Sequence, residues 1–456
     1  MPQYTAMSEV AFAEKQWFGH PRGLATLFMT EMWERFSYYG MRALLFLYMV
    51  GSTQQPGIGF GAKRAAMIYG LYTMLVYLMG IPGGFVADRW LGHRRAVFVG
   101  GIIIACGHFS MAVPGLPFFF TGLGLIIIGT GLLKPNVSTI VGTLYSPEDT
   151  RRDSGFSIFY MGINLGAFIA PWITGALGQG LKIKGRVIFT GNWHLGFAAA
   201  GVGMTLGLIQ YVAGRKYLVA RSEGKTAQTG AIEDVVAPRE PFTRTDWMRI
   251  GAIFILSIFA LIFWAGFEQA GSSLNLFADR ATRLTILGFT YPSSWFQSVE
   301  PAFIIIFAPV FAWIWIRLGK NEPSSPVKFT LGLVALFLSF ALIVPAAHIY
   351  EKSGQRVSPL WLIGLYFLQM VGELCLSPVG LSMVTKLSPA RVVGLMMGIW
   401  FMATALGNYV AGWVAGFLEN RPFSQVFQSA ALSVAIAALV LAVLIPPIKR
   451  MMGGVR

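Results

Sequence analysis

The chain has 456 residues, 55% of them hydrophobic and only 12% charged, with a formal net charge of +15. A soluble globular protein carries about 25% charged residues, so a string of water-exposed domains is excluded. The basic excess does not form a nucleic-acid surface either, because it collects in short segments between apolar runs.

Residues 1–24 hold Glu9, Glu14 and Lys15 without a compact apolar stretch, which argues against a cleaved signal peptide and predicts a cytoplasmic N-terminal segment. Twelve spans follow, at 25–50, 64–87, 95–114, 117–144, 153–180, 192–214, 247–277, 295–318, 329–347, 359–386, 390–418 and 426–447. Runs such as 96–113, 301–316 and 426–445 are long enough to cross a ~30 Å hydrocarbon core as helices. They do not alternate as barrel strands do, so the fold class is an all-α membrane protein.

Arg89, Arg94, Arg95, Arg151, Arg152 and the run from Arg215 to Arg249 all fall on one side. The positive-inside rule then puts both termini in the cytoplasm of a multi-pass protein of the inner (plasma) membrane, and some of this charge meets anionic lipid. The longest polar stretch, 216–246, reads as a cytoplasmic linker between six-helix bundles at 25–215 and 247–447, with a tail at 448–456. Two such bundles around a midplane site make the major facilitator arrangement. Glycines at 129–142 are read as close helix packing rather than a phosphate loop. Pro135, Pro171, Pro309 and Pro378 are read as kinks or hinges. Cys106 and Cys375, inside spans, are expected to be buried small hydrophobes rather than a disulfide.

Span one places Glu31, Arg35, Tyr38 and Arg42 at i, i+4, i+7 and i+11, one face of a helix, with Glu34 beside them. An unpaired charge at mid-membrane costs roughly 2.5–3.5 kcal/mol, so these groups must pair or face water. A salt bridge that only positions helices is the plainer reading, but it leaves Arg42 and the tyrosines unexplained. Later spans add Tyr72 and Tyr77, Lys134 with Asn136, Asn164, Glu268 with Gln269, Glu300 and Glu373. Glu300, near a span end, is the one most suited to snorkel. Three cations against five carboxylates predict a cavity of mixed sign, which suits a zwitterion better than a sugar, a drug or an anion. Burial raises a carboxylate's proton affinity and a nearby cation lowers it, the competition a proton-coupled switch needs.

The segment EMWERFSYYGMRALL (31–45) resembles the Glu-x-x-Glu-Arg-Phe-x-Tyr-Tyr-Gly motif of the proton-dependent oligopeptide transporters. GGFVADRWLGHRRAV (83–97), FYMGINLGAF (159–168), FWAGFEQAGSSLNLFADR (263–280), GELCLSPVGLSMVTKLSP (372–389) and GIWFMATALGNYVAG (398–412) resemble further signatures of that family, in order along the chain. The resemblance implies a proton-coupled symporter of di- and tripeptides. It assigns Arg35 and Lys134 to the peptide carboxylate and Tyr38, Tyr39 and Tyr72 to the wall of the site. Asn164 and Glu373 go to the peptide amino end, and Trp264 and Trp400 to side-chain pockets. It further implies gates at Arg42–Glu268 (outer) and Lys134–Glu373 (inner), with Glu31, Glu34, Arg35 and Glu268 coupling the proton. The chain departs from the family where Glu300 stands at a position that is often Asn, so Glu300 either binds the amino end or takes a proton. The linker has no room for the two extra helices of many bacterial relatives, and the loop at 348–358 lacks the large domain of animal members.

No catalytic group, metal set or cofactor is expected: there is no His-Glu-x-x-His pair or nucleophile elbow. The five histidines, at 20, 93, 108, 194 and 348, lack ligand spacing, and His108 reads as a packed core residue. A receptor that moves nothing would share these features, and nothing in the sequence sets an oligomeric state.

Overall fold

In hydrocarbon a backbone has no water to bond, so each long apolar run closes its hydrogen bonds internally as a helix. The computed structural model describes residues 16–146, 149, 151–218 and 242–453. The expected linker therefore lies largely outside the described residues, as do most of 1–24 and the end of the tail. The long helices are α1 Arg22–Val50, α2 Ala62–Leu78, α3 His93–Met111, α4 Leu116–Thr143, α5 Arg152–Gln179 and α6 Trp193–Gly214. They continue with α7 Arg244–Phe267, α8 Val299–Leu318, α9 Ser325–Ser353, α10 Leu360–Leu387, α11 Val393–Ala415 and α12 Phe423–Met451. Among the described residues, ten helices are long and apolar enough to cross a membrane. α1, with its charged strip, and α3, which opens on His93, Arg94 and Arg95, stand outside that ten.

Two helices are interrupted. α2 gives way to a short helix at Gly80–Val86 and a π-helical turn at Ala87–Leu91, then reverses at Gly92, whose φ of 72° a side chain would oppose. α7 ends at Phe267 in a 3-10 turn, Glu268–Gly271, followed by Ser273–Ala281. Pro135, Pro171, Pro309 and Pro378 each lie inside a helix that continues past them.

By their internal contacts the residues fall into two compact units. The first comprises Met1–Tyr39, Met79–Ala167 and Ala198–Pro241. Its core gathers Leu24, Leu27, Val97, Ile104, Leu133 and Val137. There α3 and α4 pack through facing glycines: a Cβ on Gly100 would stand 2.6 Å from Gly129 O, and one on Gly129 2.6 Å from Gly100 O. Close helix packing is thus what Gly129 supplies, with Gly131 set against Met79 O in the same manner, whereas a Cβ on Gly142 would meet nothing nearer than 3.7 Å. His108 is fully buried with neither ring nitrogen bonded, a core residue as expected. Cys106 is exposed, contrary to expectation. It shares a face of α3 with the exposed Phe98, Ile102 and Phe109, where an apolar side chain meets lipid and needs no protein neighbour.

The second unit comprises Gly40–Leu78, Phe168–Phe197 and Phe242–Arg456. In it α11 packs on α2 and α7, and α9 on α10 and α12. The sequence analysis foresaw no strands, yet two hairpins form a four-stranded antiparallel sheet. They comprise β3 Gly180–Ile183 with β4 Arg186–Thr190, and β5 Thr285–Ile286 with β6 Phe289–Thr290. (β1 Gln16–Trp17 and β2 His20–Pro21, in the first unit, form a separate hairpin.) Both tips turn through left-handed pairs, Lys184–Gly185 and Leu287–Gly288, the twist that two-residue hairpins favour.

The α3–α4 contact predicts a selective effect of volume. Gly129→Val should lower the apparent melting temperature of the purified protein, since overpacking costs about 1–3 kcal/mol and the blocking atoms are backbone. Gly124→Val should leave it unchanged, because a Cβ there meets nothing within 4 Å.

Candidate functional site

The helical period brings the α1 charges together as the spacing predicted. Glu31, Glu34 and Arg35 are each at most 1% exposed. Arg35 Nε donates to Glu34 Oε2 and Nη2 to Glu34 Oε1, a two-pronged pair. Glu31 Oε1 lies 3.5 Å from Arg35 Nε, while Glu31 Oε2 is buried with no hydrogen-bond partner. The two carboxylates are therefore not equivalent: Glu34 spends both oxygens on Arg35, and Glu31 keeps one in reserve. The guanidinium also stands 4.9 Å from the Tyr38 ring centroid and 5.9 Å from that of Tyr39.

The motif on α5 has a packing reason. A Cβ on Gly166 would sit 3.0 Å from Arg35 Cβ, and one on Gly162 3.0 Å from Phe28 O, so these glycines let α5 close on the charged stretch of α1. Asn164 lies between them, 6% exposed, donating to Tyr160 O at 3.3 Å. On α4, Lys134 is partly buried. Asn136 is committed elsewhere, to His93 Nδ1 at 2.7 Å and Leu132 O at 2.7 Å.

In the second unit Arg42 donates to Glu268 Oε2 through Nη2 and to the Tyr69 hydroxyl through Nε at 2.6 Å. The 3-10 turn that ends α7 sets Glu268 there. A Cβ on Gly271, in the same turn, would stand 3.1 Å from Arg42 Nε and collide with the Tyr69 hydroxyl. Only glycine leaves room for the ion pair.

Glu300, in the first turn of α8, does not snorkel. Its Oε1 is buried with no hydrogen-bond partner. The 3-10 turn Ser293–Ser298 precedes α8, so Glu300 opens its helix inside protein rather than at a surface. Gln269 donates to Ala411 O at 3.0 Å, a structural bond. Trp264 packs on Phe263 and Phe267 with its indole N–H unbonded. Tyr72 is 2% exposed, and Trp400, at 3%, rests on Phe329. Tyr77 is half-buried.

Sequence reasoning missed a second polar cluster in this unit. Asp279 is fully buried and accepts from Thr53 N at 2.7 Å, Thr53 Oγ1 at 3.3 Å and Ser293 Oγ at 2.9 Å. Gln179 binds Ser293 Oγ at 2.8 Å and Ser294 N at 3.0 Å. These bonds tie the ends of α1 and α5 to the segment joining α7 and α8. An aspartate at the end of a span reads from sequence as interfacial, and only its partners reveal a clasp. Asp279→Ala would take the acceptor from the buried Ser293 hydroxyl and from the Thr53 N–H, at about 1–3 kcal/mol. It should lower the melting temperature measurably, and Asp279→Asn should recover part of the loss.

Comparison with known proteins places the chain in a family. Residues 94–233 and 240–432 match the POT family. The chain is 44% identical to "Uncharacterized transporter YclF" of Bacillus subtilis (strain 168), covering 97% of each chain. It is 36% identical to a "Di-/tripeptide transporter" of Lactococcus lactis subsp. cremoris, covering 99% of this chain and 100% of that one. Its fold is similar to the crystal structure of a peptide transporter POT in complex with sulfate, with a TM-score of 0.85 and 40% identity over 98% of this chain and 99% of that one. The buried charges of α1 thus sit in a sequence similar along its whole length to these transporters, and the chain belongs to the POT family.

Proposed function

We propose that this protein is a proton-coupled symporter that imports di- and tripeptides by alternating access. The observation that carries the reading is the ion pair of Arg42 with Glu268. It joins a residue of the first helix to one in the turn that ends the seventh, inside protein, where an unpaired charge is costly. Relatives named as peptide transporters support the substrate class. On this reading the chain is not an enzyme. It has twelve spans in two six-helix bundles, 25–215 and 247–447, joined by the cytoplasmic linker 216–246 without two extra helices. It sits in the inner membrane with both termini cytoplasmic.

The peptide carboxylate docks on Arg35 and Lys134, and the amino end on Asn164, Glu373 and Glu300. Tyr38, Tyr39, Tyr72, Trp264 and Trp400 wall the site. Protonating Glu268 removes the charge that holds Arg42 and frees the outer gate, so the halves can rock. Lys134 and Glu373 form the inner gate. Within the α1 cluster Glu31 is the proton acceptor, supported by its unpartnered Oε2, and Glu34 anchors Arg35. One charge moved with the peptide gains ~2.3 kcal/mol per 100 mV. At ~1.4 kcal/mol per tenfold, that sustains roughly 40-fold accumulation.

The test is uptake of labelled dialanine into liposomes with and without an inward proton gradient and a protonophore. Uptake indifferent to both would sink the symport reading, and no flux at all would favour a receptor. Glu268→Gln should abolish accumulation but spare peptide-for-peptide exchange. Arg35→Lys should impair driven uptake, because lysine cannot reproduce the two-pronged pair. Glu31→Gln should lose coupling with little change in melting temperature, whereas Glu34→Gln should lower both. Equal thermal losses would overturn the division of labour between these carboxylates.

A further inference from the structure

The sheet of β3, β4, β5 and β6 takes no part in the charged site, yet its surface is unusual for a water-facing loop. Ile183, Val187, Ile188 and Ile286 are between 44% and 60% exposed, and Leu287 is 98% exposed. Leu287 also holds a φ of 48°, a conformation that a Cβ opposes. Leucine is therefore unfavourable there twice, through its backbone and through its contact with water. The two hairpin tips make one patch, because Lys184 N donates to Gly288 O at 2.6 Å.

Charge on the patch has a single sign. Lys182, Lys184, Arg186 and Arg283 are all exposed, and residues 180–191 and 282–299 contain no Asp or Glu. Asp279, the next acid along the chain, is buried and committed to Thr53 and Ser293. On the topology proposed above these four cations lie on the outer side, so the positive-inside trend does not account for them. Exposed apolar side chains beside unopposed cations are the combination that binds an anionic bilayer surface.

A second observation sets the level of the patch. β3 begins at Gly180, directly after α5 ends at Gln179, so the sheet stands at the end of a spanning helix. Four aromatic rings then connect sheet to helix. Phe289 and Tyr291 each pack on Trp295, at 5.9 and 6.2 Å, and Trp295 packs on Trp172 of α5 at 4.3 Å. Trp295 Nε1 also donates to Trp172 O at 3.2 Å. Trp172 and Ile173 are exposed on α5, and lipid is the solvent of an exposed apolar face on a spanning helix. Trp and Tyr collect at the depth of the lipid headgroups, so the stack carries the patch to that boundary.

We propose that the paired hairpins are a lipid anchor that binds anionic phospholipid of the bilayer around α5. Ile188, Ile286 and Leu287 enter the boundary between headgroups and acyl chains, and Lys182, Lys184, Arg186 and Arg283 meet the phosphates. Lipid supplies both things the patch lacks, hydrocarbon for the leucine and negative charge for the cations. Because β3 pairs with β6, lipid held there restrains the end of α5 and the segment joining α7 to α8 together.

The test puts an environment-sensitive dye on Leu287→Cys, in a Cys106→Ala background, with the full chain in vesicles of mixed neutral and anionic phospholipid. The quencher is a nitroxide placed shallow on the acyl chain of phosphatidylglycerol or, at equal mole fraction, of phosphatidylcholine. Each reading is taken relative to the same dye on Gln355→Cys, an exposed loop position of the same unit. Both lipids should quench the Leu287 dye, phosphatidylglycerol several-fold more strongly, and iodide in the water should quench it weakly. Lys184→Gln with Arg186→Gln should remove most of the preference at an unchanged melting temperature, since each cation near an anionic surface favours it roughly fivefold. A dye reached freely by iodide and by neither lipid would overturn the anchor. Equal quenching by the two lipids would overturn the role of the cations. A dye shielded from iodide and from both lipids would put a protein, such as a second copy of this chain, on the patch and would overturn the proposal too. Ile286→Cys carries the dye if the Leu287 variant does not fold.

Discussion

A charge inside hydrocarbon must find its opposite, and the arrangement of this protein around α1 follows from that one requirement. The helix buries two arginines and two glutamates, and each is answered in its own way. Arg35 is met locally by Glu34 and Glu31, neighbours along the same helix. Arg42 is met by Glu268, more than two hundred residues along the chain. The first pairing survives any movement of other helices. The second holds only while α1 and the turn after α7 stay together.

Packing makes these pairings possible. Glycines at 162 and 166 bring α5 onto the charged stretch of α1, and Gly271 leaves space where Arg42 meets Glu268 and Tyr69. The motifs of the sequence are therefore of two kinds. Some residues carry charge, and others have no side chain so that the charged ones can approach. Neither set does anything without the other, because the strength of an ion pair falls with distance and rises with the exclusion of water.

Carboxylates outnumber cations among the described buried residues, and Glu31 and Glu300 each keep one oxygen buried with no hydrogen-bond partner. Asp279, held by Thr53 and Ser293, serves instead as a clasp.

The sequence by itself determined the class, the helical spans and the one-sided charge strip of α1, because hydrophobic length and a 3.6-residue period are local properties. Its motifs also pointed to the family. Arg42 meets Glu268, the partner the family resemblance implied, while tertiary structure alone decided that it also takes Tyr69, that Asn136 goes to His93 and that Glu300 keeps Oε1 buried instead of reaching a surface. Cys106 faces outward, and two hairpins pair where only loops were foreseen. These outcomes depend on contacts between residues far apart in the chain, whose separations no local pattern encodes. The same holds within the charged strip of α1: Glu34 and Glu31 look alike in sequence, and only the orientation of Arg35 assigns one to hold it and leaves the other an oxygen to spare.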